Sequence, residues 1–175
     1  LAVDQRNHGL SPWTARHQYS DLAEDLAEVI SAHKAPMDVL GHSMGGKSAM
    51  MLALTRPELV RRLIVADIAP VNYSHNQNQH IKIMRQVDLS QVKKRSDAKD
   101  QLARHISDPL LQSFFTQSLD ITAGAWRLNL DTLERDMPDI LAFPEVDTVF
   151  AKPTLFLSGT NSDYVTPTHR PTIRR

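Results

Sequence analysis

One serine of this chain lies in a glycine-framed motif that fits two kinds of chemistry. The stretch Gly41-His-Ser-Met-Gly45 matches Gly-x-Ser-x-Gly, a sharp strand-to-helix turn that exposes its serine, here Ser43, as a nucleophile. Extended to Gly41–Ser48, the same stretch matches Gly-x-x-x-x-Gly-Lys-Ser, the loop whose backbone N–H groups bind nucleotide phosphates. The side chains inside the motif and the rest of the chain must discriminate between a serine hydrolase and a nucleotide-binding protein.

The side chains inside the motif favour the nucleophile. A phosphate loop needs close backbone approach, but His42 and Met44 place bulky side chains there. In a nucleophile turn, Gly41 and Gly45 relieve crowding around the strained serine. The backbone N–H of Met44, at a helix N-terminus, then supplies one donor of an oxyanion hole. In this interpretation Lys47 is only a helix residue with a solvated or packed stem.

A nucleophilic serine requires a general base that is held by an acid. Asp67 directly follows the apolar run Leu63–Ala66 and lies one crossover beyond Ser43, and catalytic groups collect at the carboxyl ends of parallel strands. A role as a turn cap beside the following Ala-Pro pair is equally compatible with the sequence. Asp163, after the apolar run Pro153–Leu157, is the second candidate acid, with an ordinary turn residue as its alternative.

No histidine of this chain fits the base. The chain order in such sites is nucleophile, acid, histidine, and the histidine after Asp163 is His169, which lies too early to follow a further strand. His42 adjoins the serine and should point away from it. The remaining candidates fall in a turn or in the helical segment, without spacing typical of a metal pair: His8, His75, His80 and His105. We therefore predict that the base lies outside this chain and that no metal site is present.

The elements that position these residues alternate between strand and helix. We predict a helix capped by Ser20, a strand over Met37–Gly41, a helix from the motif to Arg56-Pro57, and a strand over Leu63–Ala66. Continuously apolar strands of this kind indicate an α/β fold with a parallel sheet covered on both faces. The run Leu1–Asp4 reads as the end of a strand whose beginning is missing, so we expect a fragment of a longer protein.

Between Val71 and Val149 the pattern becomes helical and more polar. Three or four helical stretches without a convincing strand are predicted here, at roughly 75–87, 96–106, 109–119 and 130–137. The sheet pattern returns with the strand Pro153–Leu157, and Pro167 opens a last helix. We expect one domain overall, with a core formed by residues 1–70 and 150–175 and a helical cap formed by residues 71–149.

The composition excludes several classes of protein. The 175 residues contain no cysteine, which excludes a disulfide scaffold, a thiolate nucleophile and a cysteine-ligated zinc site. Twenty basic and twenty acidic side chains balance, so no global field attracts nucleic acid or an anionic membrane. We find no apolar run near the roughly 18 to 20 residues of a membrane span and no signal segment, and we expect a cytoplasmic location.

Five motifs, in order along the whole chain, resemble the YbfF-type esterases of the α/β-hydrolase family, a group that includes proteins like alpha/beta-hydrolase-domain protein 11. They are Asp4-x-Arg-Asn-His-Gly-x-Ser-Pro12, Gly41–Lys47, Asp67–Val71, Trp126–Asp131 and Asn161–Val165. The resemblance implies hydrolysis of small acyl esters or thioesters through an acyl-enzyme on Ser43, without a cofactor. It also implies a cap that shapes the acyl pocket.

The resemblance ranks the acids and marks two departures. Asp67 matches the position after the strand that follows the nucleophile turn, Asp131 in the Trp126–Asp131 block is another carboxylate it nominates, and Ser162 falls where many such enzymes carry their acid. Asp67 ranks first, with Asp131 and Asp163 behind. Such enzymes also carry a His-Gly oxyanion loop and a Gly-His-Trp-like segment with the base, and neither occurs here. The alternatives are a nucleotide-binding protein that uses Gly41–Ser48 and a non-catalytic interaction module.

Overall fold

The computed structural model describes residues 1–74 and 77–174, so His75 of the first predicted cap helix lies outside the described residues, as does Arg175. The chain forms two compact units. We call Arg16–Ser74 with Pro138–Arg175 the sheet unit, and Leu1–Ala15 with His75–Met137 the helix-rich unit. These units differ from the predicted boundaries, because residues 1–15 cluster with the helices and residues 138–149 with the sheet. The division into core and cap stays a prediction.

The sheet unit follows the alternation expected from the sequence. Helix α1 spans Tyr19–Ser31, strand β1 spans Met37–His42, helix α2 spans Met44–Thr55 and strand β2 spans Val60–Ala66. The helix-rich unit contains helices α3 (Asn78–Arg85), α4 (Arg95–Leu102), α5 (Pro109–Gln117) and α6 (Leu130–Arg135), with short strands β3 (Leu119–Asp120) and β4 (Ala125–Trp126). Helix α7 (Met137–Leu141), strand β5 (Thr154–Leu157) and helix α8 (Arg170–Arg174) complete the described chain.

The three strands of the sheet unit are parallel, in the order β1-β2-β5. The register pairs His42 with Ala66, and Ala66 in turn with Leu157. All three strands therefore end at the same level of the sheet. The predicted α/β fold with a parallel sheet and flanking helices is confirmed.

The described residues cover one face of this sheet. Helix α2 is buried on nearly all sides, because it packs on β1 and β2 with one side and on α1 with another. Leu22 and Leu52 are among the buried side chains of this shared core. On the opposite face Leu40, Leu155 and Leu157 are exposed, so the expected coverage of both faces is not what the described residues form. Both α1 and α2 belong to the same core cluster, which explains the difference.

Three local predictions were wrong. Helix α1 begins at Tyr19 with Gln18 at its N-cap and no side-chain cap, so Ser20 lies inside the helix. Residues 1–4 are exposed and not a strand, because Asp4 folds the segment into a loop: its carboxylate accepts from the N–H of Leu10 and its carbonyl from the hydroxyl of Ser11. The segment predicted to lack strands contains the antiparallel pair β3-β4.

The helix-rich unit has a hydrophobic core of its own. Leu102 and Ala98 of α4 are fully buried in it, and Trp126 of β4 donates its indole N–H to the carbonyl of Met84 at 3.1 Å. Within the same unit, the buried Asn7 side chain is bonded to Asn129, the N-cap of α6. None of the described helices has the length and apolar character that crossing a bilayer requires.

Candidate active site

The turn between β1 and α2 has the backbone geometry of a nucleophile elbow. Ser43 connects the last residue of β1 to the first residue of α2, with φ 51° and ψ −124°. Positive φ values are unfavourable for a residue with a side chain and cluster at functional sites. A Cβ at Gly41 would overlap the carbonyl group of Gly45, and a Cβ at Gly46 would lie 2.6 Å from Ile68 Cγ2. The glycines are therefore required by the tight contact between the turn, the helix and β2.

The parallel register brings the two leading candidates to neighbouring strand ends. The N–H of Ser43 donates to the carbonyl of Ala66 at 3.0 Å, which fixes the elbow against the end of β2. Asp67 follows Ala66 with φ 54°, and its N–H donates to the carbonyl of Leu157 at 2.8 Å. The strand ends of β1, β2 and β5 thus carry Ser43, Asp67 and the loop after Leu157 at one edge of the sheet.

The carboxylate of Asp67 is held by the loop that follows β5. Oδ1 accepts from the N–H of Gly159 at 3.1 Å, and Oδ2 accepts from the hydroxyl of Ser162 at 2.8 Å. These partners lie more than ninety residues away along the chain. Both bonds fix the position of the carboxylate, whereas a local cap would accept from the neighbouring backbone.

Two tyrosines extend this network. Ser162 Oγ also accepts from the N–H of Tyr164 at 3.3 Å, and the hydroxyl of Tyr73 donates to the carbonyl of Tyr164 at 2.6 Å while it accepts from the N–H of Ala69 at 2.9 Å. Burial raises the pKa of Tyr73, with a smaller contribution from the charge of Asp67. The sequence prediction missed Tyr73, because its partner lies 91 residues further along the chain.

The two lower-ranked candidate acids, Asp163 and Asp131, are both exposed. Asp163 is exposed, and its neighbour Ser162 makes the contact with Asp67. Asp131 belongs to α6 of the helix-rich unit, where its exposed carboxylate accepts from Arg85 at 2.7 Å. The structure therefore distinguishes Asp67 as the candidate whose carboxylate is fixed at a strand end beside the elbow.

Met44, the predicted oxyanion donor, directly follows Ser43. It is the first residue of α2, and the first amides of a helix have no acceptor within the helix. The carbonyl of Ser43 accepts from the N–H groups of Gly46 and Lys47, which anchors the first turn. Nε2 of the buried His17 lies 3.2 Å from the Met44 sulfur, a contact that no sequence motif signalled.

The nucleotide-binding interpretation of Gly41–Ser48 is not supported by the structure. Phosphate binding would need the ammonium of Lys47 and the hydroxyl of Ser48 to reach a ligand. Lys47 is instead 1% exposed, with Nζ bonded to three backbone carbonyls. Ser48 is fully buried and donates to the carbonyl of Met44 at 3.1 Å.

Three of the histidines considered as bases have other hydrogen-bond partners. His8, whose pKa is lowered by burial, lies with Nδ1 3.0 Å from the carbonyl oxygen of Arg6, and His80 Nδ1 lies 2.6 Å from Gln77 Oε1. Nδ1 of His169 accepts from the N–H of Thr166 at 3.3 Å, and His42 is exposed at the end of β1. Within the described part of the chain, no three His, Asp or Glu side chains form a group that could hold a metal ion.

Comparison with known protein families and sequences gives consistent matches. A family model described as alpha/beta hydrolase fold matches residues 1–174. The sn-1-specific diacylglycerol lipase ABHD11 of Danio rerio is 38% identical over 184 residues, which cover 100% of this chain and 58% of that protein. Esterase YbfF of Escherichia coli K12 is 31% identical over 172 residues, covering 97% of this chain and 66% of that protein. The chain thus spans about 60% of the length of these relatives.

A solved structure has the same fold. The structure described as a marine microorganism esterase superimposes with a TM-score of 0.89 at 36% identity, covering 98% of this chain and 70% of that one. The esterase from Exiguobacterium antarcticum matches with a TM-score of 0.63 at 20% identity, which is a likeness of fold alone.

Proposed function

Because the chain belongs to the alpha/beta-hydrolase family, we propose that it carries the nucleophile and the acid of a serine esterase that hydrolyses small acyl esters or thioesters. Relatives named as esterases and lipases make ester hydrolysis the expected activity. The observation that carries the proposal is the pair of adjacent strand ends, on which Ser43 and a hydrogen-bonded Asp67 both adopt positive φ.

In the proposed reaction the hydroxyl oxygen of Ser43 attacks the acyl carbonyl carbon. The serine proton passes to the general base, and the base returns it to the departing alcohol or thiol as the acyl-enzyme forms. Water then attacks the acyl-enzyme, giving up a proton to the base, and the carboxylic acid leaves as Ser43 regains its proton. The N–H of Met44 donates to the oxyanion in both tetrahedral states.

Asp67 serves the base in this proposal. A fixed carboxylate orients a histidine and stabilises the imidazolium that forms when it takes the serine proton. The base itself is expected outside this chain, and this expectation stays a prediction, as does the cytoplasmic location. Because the chain spans about 60% of the length of these relatives, the activity is proposed for the natural protein as a whole.

The decisive experiment compares two serine variants of that natural protein. Hydrolysis of p-nitrophenyl butyrate and of a butyryl thioester is measured for Ser43→Ala and for Ser31→Ala, which changes an exposed serine at the end of α1. We expect Ser43→Ala to remove at least about three powers of ten in kcat and Ser31→Ala to retain activity.

Mass spectrometry after brief exposure to the ester provides the second readout. An added acyl group that is absent from Ser43→Ala supports the acyl-enzyme. Equal hydrolysis by both variants, at the rate of the natural protein, would contradict the proposal. No hydrolysis above the uncatalysed rate by the natural protein itself would also contradict it, and would favour a non-catalytic interaction module of the same fold.

A further inference from the structure

Lys47 makes an unusual set of contacts for a lysine beside a nucleophile elbow. Its side chain is buried, and Nζ donates to the carbonyls of Val71 at 3.0 Å, Leu141 at 2.8 Å and Ala142 at 2.7 Å. An ammonium group has three donors, so these three acceptors satisfy it completely. The faces of the Tyr73 and Tyr19 rings lie 4.9 Å and 5.8 Å from the same nitrogen. The buried nitrogen is therefore surrounded by three carbonyl acceptors and two aromatic rings.

Lys47 connects the helix that begins after Ser43 with the loop that follows Asp67. Lys47 lies one helical turn after Ser43, and its N–H donates to the carbonyl of Ser43 at 3.1 Å. Val71 stands four residues after Asp67, on the loop that continues from β2. A single side chain thus connects the helix of the nucleophile to the loop of the acid.

The other two acceptors of Lys47, the carbonyls of Leu141 and Ala142, belong to a segment that is hydrogen-bonded to the same loop. The N–H of Tyr73 donates to the carbonyl of Leu141 at 3.0 Å, and the N–H of Phe143 donates to the side chain of Asn72 at 2.8 Å. Segments 71–73 and 141–143 therefore lie side by side, with the Lys47 ammonium bonded to both. Tyr73 in turn bonds to Ala69 and Tyr164, and Tyr164 to the serine that holds Asp67.

We propose that Lys47 is a positioning residue for Asp67: its ammonium fastens the loop 68–73 to helix α2, and so fixes the carboxylate relative to Ser43. This inference rests on the proposed esterase function. Lys47 does not touch the reacting atoms, and its effect passes through Val71, Tyr73 and the loop after β5. Displacement of a catalytic group by about 1 Å lowers the rate on the order of a hundred-fold, so loss of the bonds that hold this loop should lower kcat measurably.

The test uses the natural protein with Lys47→Met, which keeps the apolar stem and removes the ammonium. The matched control is Lys152→Met. Lys152 also donates to two backbone carbonyls, of Pro57 at 2.6 Å and Val60 at 2.9 Å, and lies near the Phe150 ring, but at the opposite end of strand β2. We expect kcat for p-nitrophenyl butyrate to fall about ten-fold or more in Lys47→Met with KM nearly unchanged, and to stay within about two-fold in Lys152→Met.

A double-mutant cycle separates positioning from general stability. In an Asp67→Asn background, Lys47→Met should lower kcat by less than about two-fold, because the group it positions has already lost its charge. Lys47→Arg, which retains a cation, should recover most of the lost activity. An equal loss in both backgrounds, or a kcat for Lys47→Met equal to that of Lys152→Met, would overturn the proposal.

Two controls keep the result interpretable. Should Lys47→Met fail to fold by circular dichroism, Tyr73→Phe replaces it in the cycle, since it removes only the hydroxyl that links Ala69 to Tyr164. A loss with Tyr73→Phe that disappears in the Asp67→Asn background supports the proposal, and an equal loss in both backgrounds contradicts it. Ser43→Ala and Asp67→Asn alone test the esterase function, so failure of that function is distinguished from failure of the role of Lys47.

Discussion

At the scale of single residues, the site is defined by which polar atoms are held and by what. Three aspartates are chemically equivalent as candidate acids, but their surroundings differ. Asp67 accepts from a backbone N–H and a serine hydroxyl, Asp131 pairs with Arg85 on the surface, and Asp163 is exposed. A fixed, hydrogen-bonded carboxylate is the arrangement that a catalytic acid requires.

A panel of three isosteric variants tests this ranking. Asp67→Asn should lower kcat for p-nitrophenyl butyrate by about three to four powers of ten, because an amide does not stabilise the imidazolium that forms on the base. Asp131→Asn and Asp163→Asn should stay within about three-fold of the natural protein. Steady-state kinetics of the three purified proteins provide the comparison, and a large loss in Asp131→Asn or Asp163→Asn with none in Asp67→Asn would reverse the ranking.

Lys47 also predicts a pH dependence of stability. Burial lowers the pKa of Lys47 from its ordinary value of 10.5 to about 8, while the three carbonyl acceptors favour the ammonium form. Between these two values the unfolded chain binds a proton that the native protein does not, so the free energy of unfolding should rise as the pH increases from 8 towards 10.5.

Urea unfolding at pH 7.5, 9 and 10 measures this dependence. Lys47→Met should lack the rise, so the difference between the two proteins isolates it. Burial raises the pKa of both Tyr19 and Tyr73, the rings that face the ammonium, and their contribution to stability is lost above about pH 10 as the unfolded tyrosines ionise. Parallel curves for the two proteins up to pH 10 would show that Lys47 does not titrate in this range.

At the scale of elements, the elbow depends on the close approach of strand β1, helix α2 and strand β2. The backbone at Gly41 lies against the Gly45 carbonyl group, and Gly46 lies against Ile68 and Val65. The approach determines where Ser43 stands, because the serine is the connection between β1 and α2. The N–H of Ser43 then fixes this connection to Ala66 of β2.

Gly41→Ala should therefore disrupt the elbow. The new methyl group would overlap backbone, which does not move as a flexible side chain does, so we expect a loss of about 3 kcal/mol or more in the free energy of unfolding, and loss of activity. Gly124→Ala is the control: Gly124 has φ +60° but open space around it, and should cost only about 1 kcal/mol of backbone strain. Equal costs for the two variants, measured by urea unfolding, would show that the overlap at Gly41 is relieved at little expense.

At the scale of the whole molecule, the chain has two hydrophobic cores, one in each compact unit. Leu52 of α2 and Leu102 of α4 are fully buried, each in a different core. Each unit therefore contains the apolar packing that protects its own amides from exchange with solvent.

Truncation of a leucine in one core should increase hydrogen exchange in a different set of amides from truncation of a leucine in the other. Leu52→Ala and Leu102→Ala should each remove about 2 to 5 kcal/mol of packing free energy. Leu102→Ala should increase the hydrogen-exchange rates of the amides of α4 and α5, while the amides of β2 keep their protection. Leu52→Ala should increase the exchange rates of the amides of β1 and β2. Uniform acceleration across the chain in both variants would mean that the two cores unfold as one cooperative structure.

The sequence by itself determined those features that depend on residues close to one another in the chain. Continuous apolar runs indicated the strands, the glycines around Ser43 indicated the elbow, and the position of Asp67 after the next strand indicated a shared sheet edge. These inferences succeed because strand period, glycine conformation and parallel register follow local rules. The start of α1 and the loop of residues 1–4 were wrong at this level, because caps and loop contacts depend on particular side-chain bonds.

Only the tertiary structure decided what holds the site together. The bonds from Gly159 and Ser162 to Asp67, and from Lys47 to Ala142, join segments more than ninety residues apart. Such bonds leave no periodicity or spacing in the sequence, because each depends on the packing of a strand or loop formed elsewhere in the chain. Lys47 therefore appeared in the sequence as an ordinary helix residue, and its buried ammonium became visible only where the loops 71–73 and 141–143 meet.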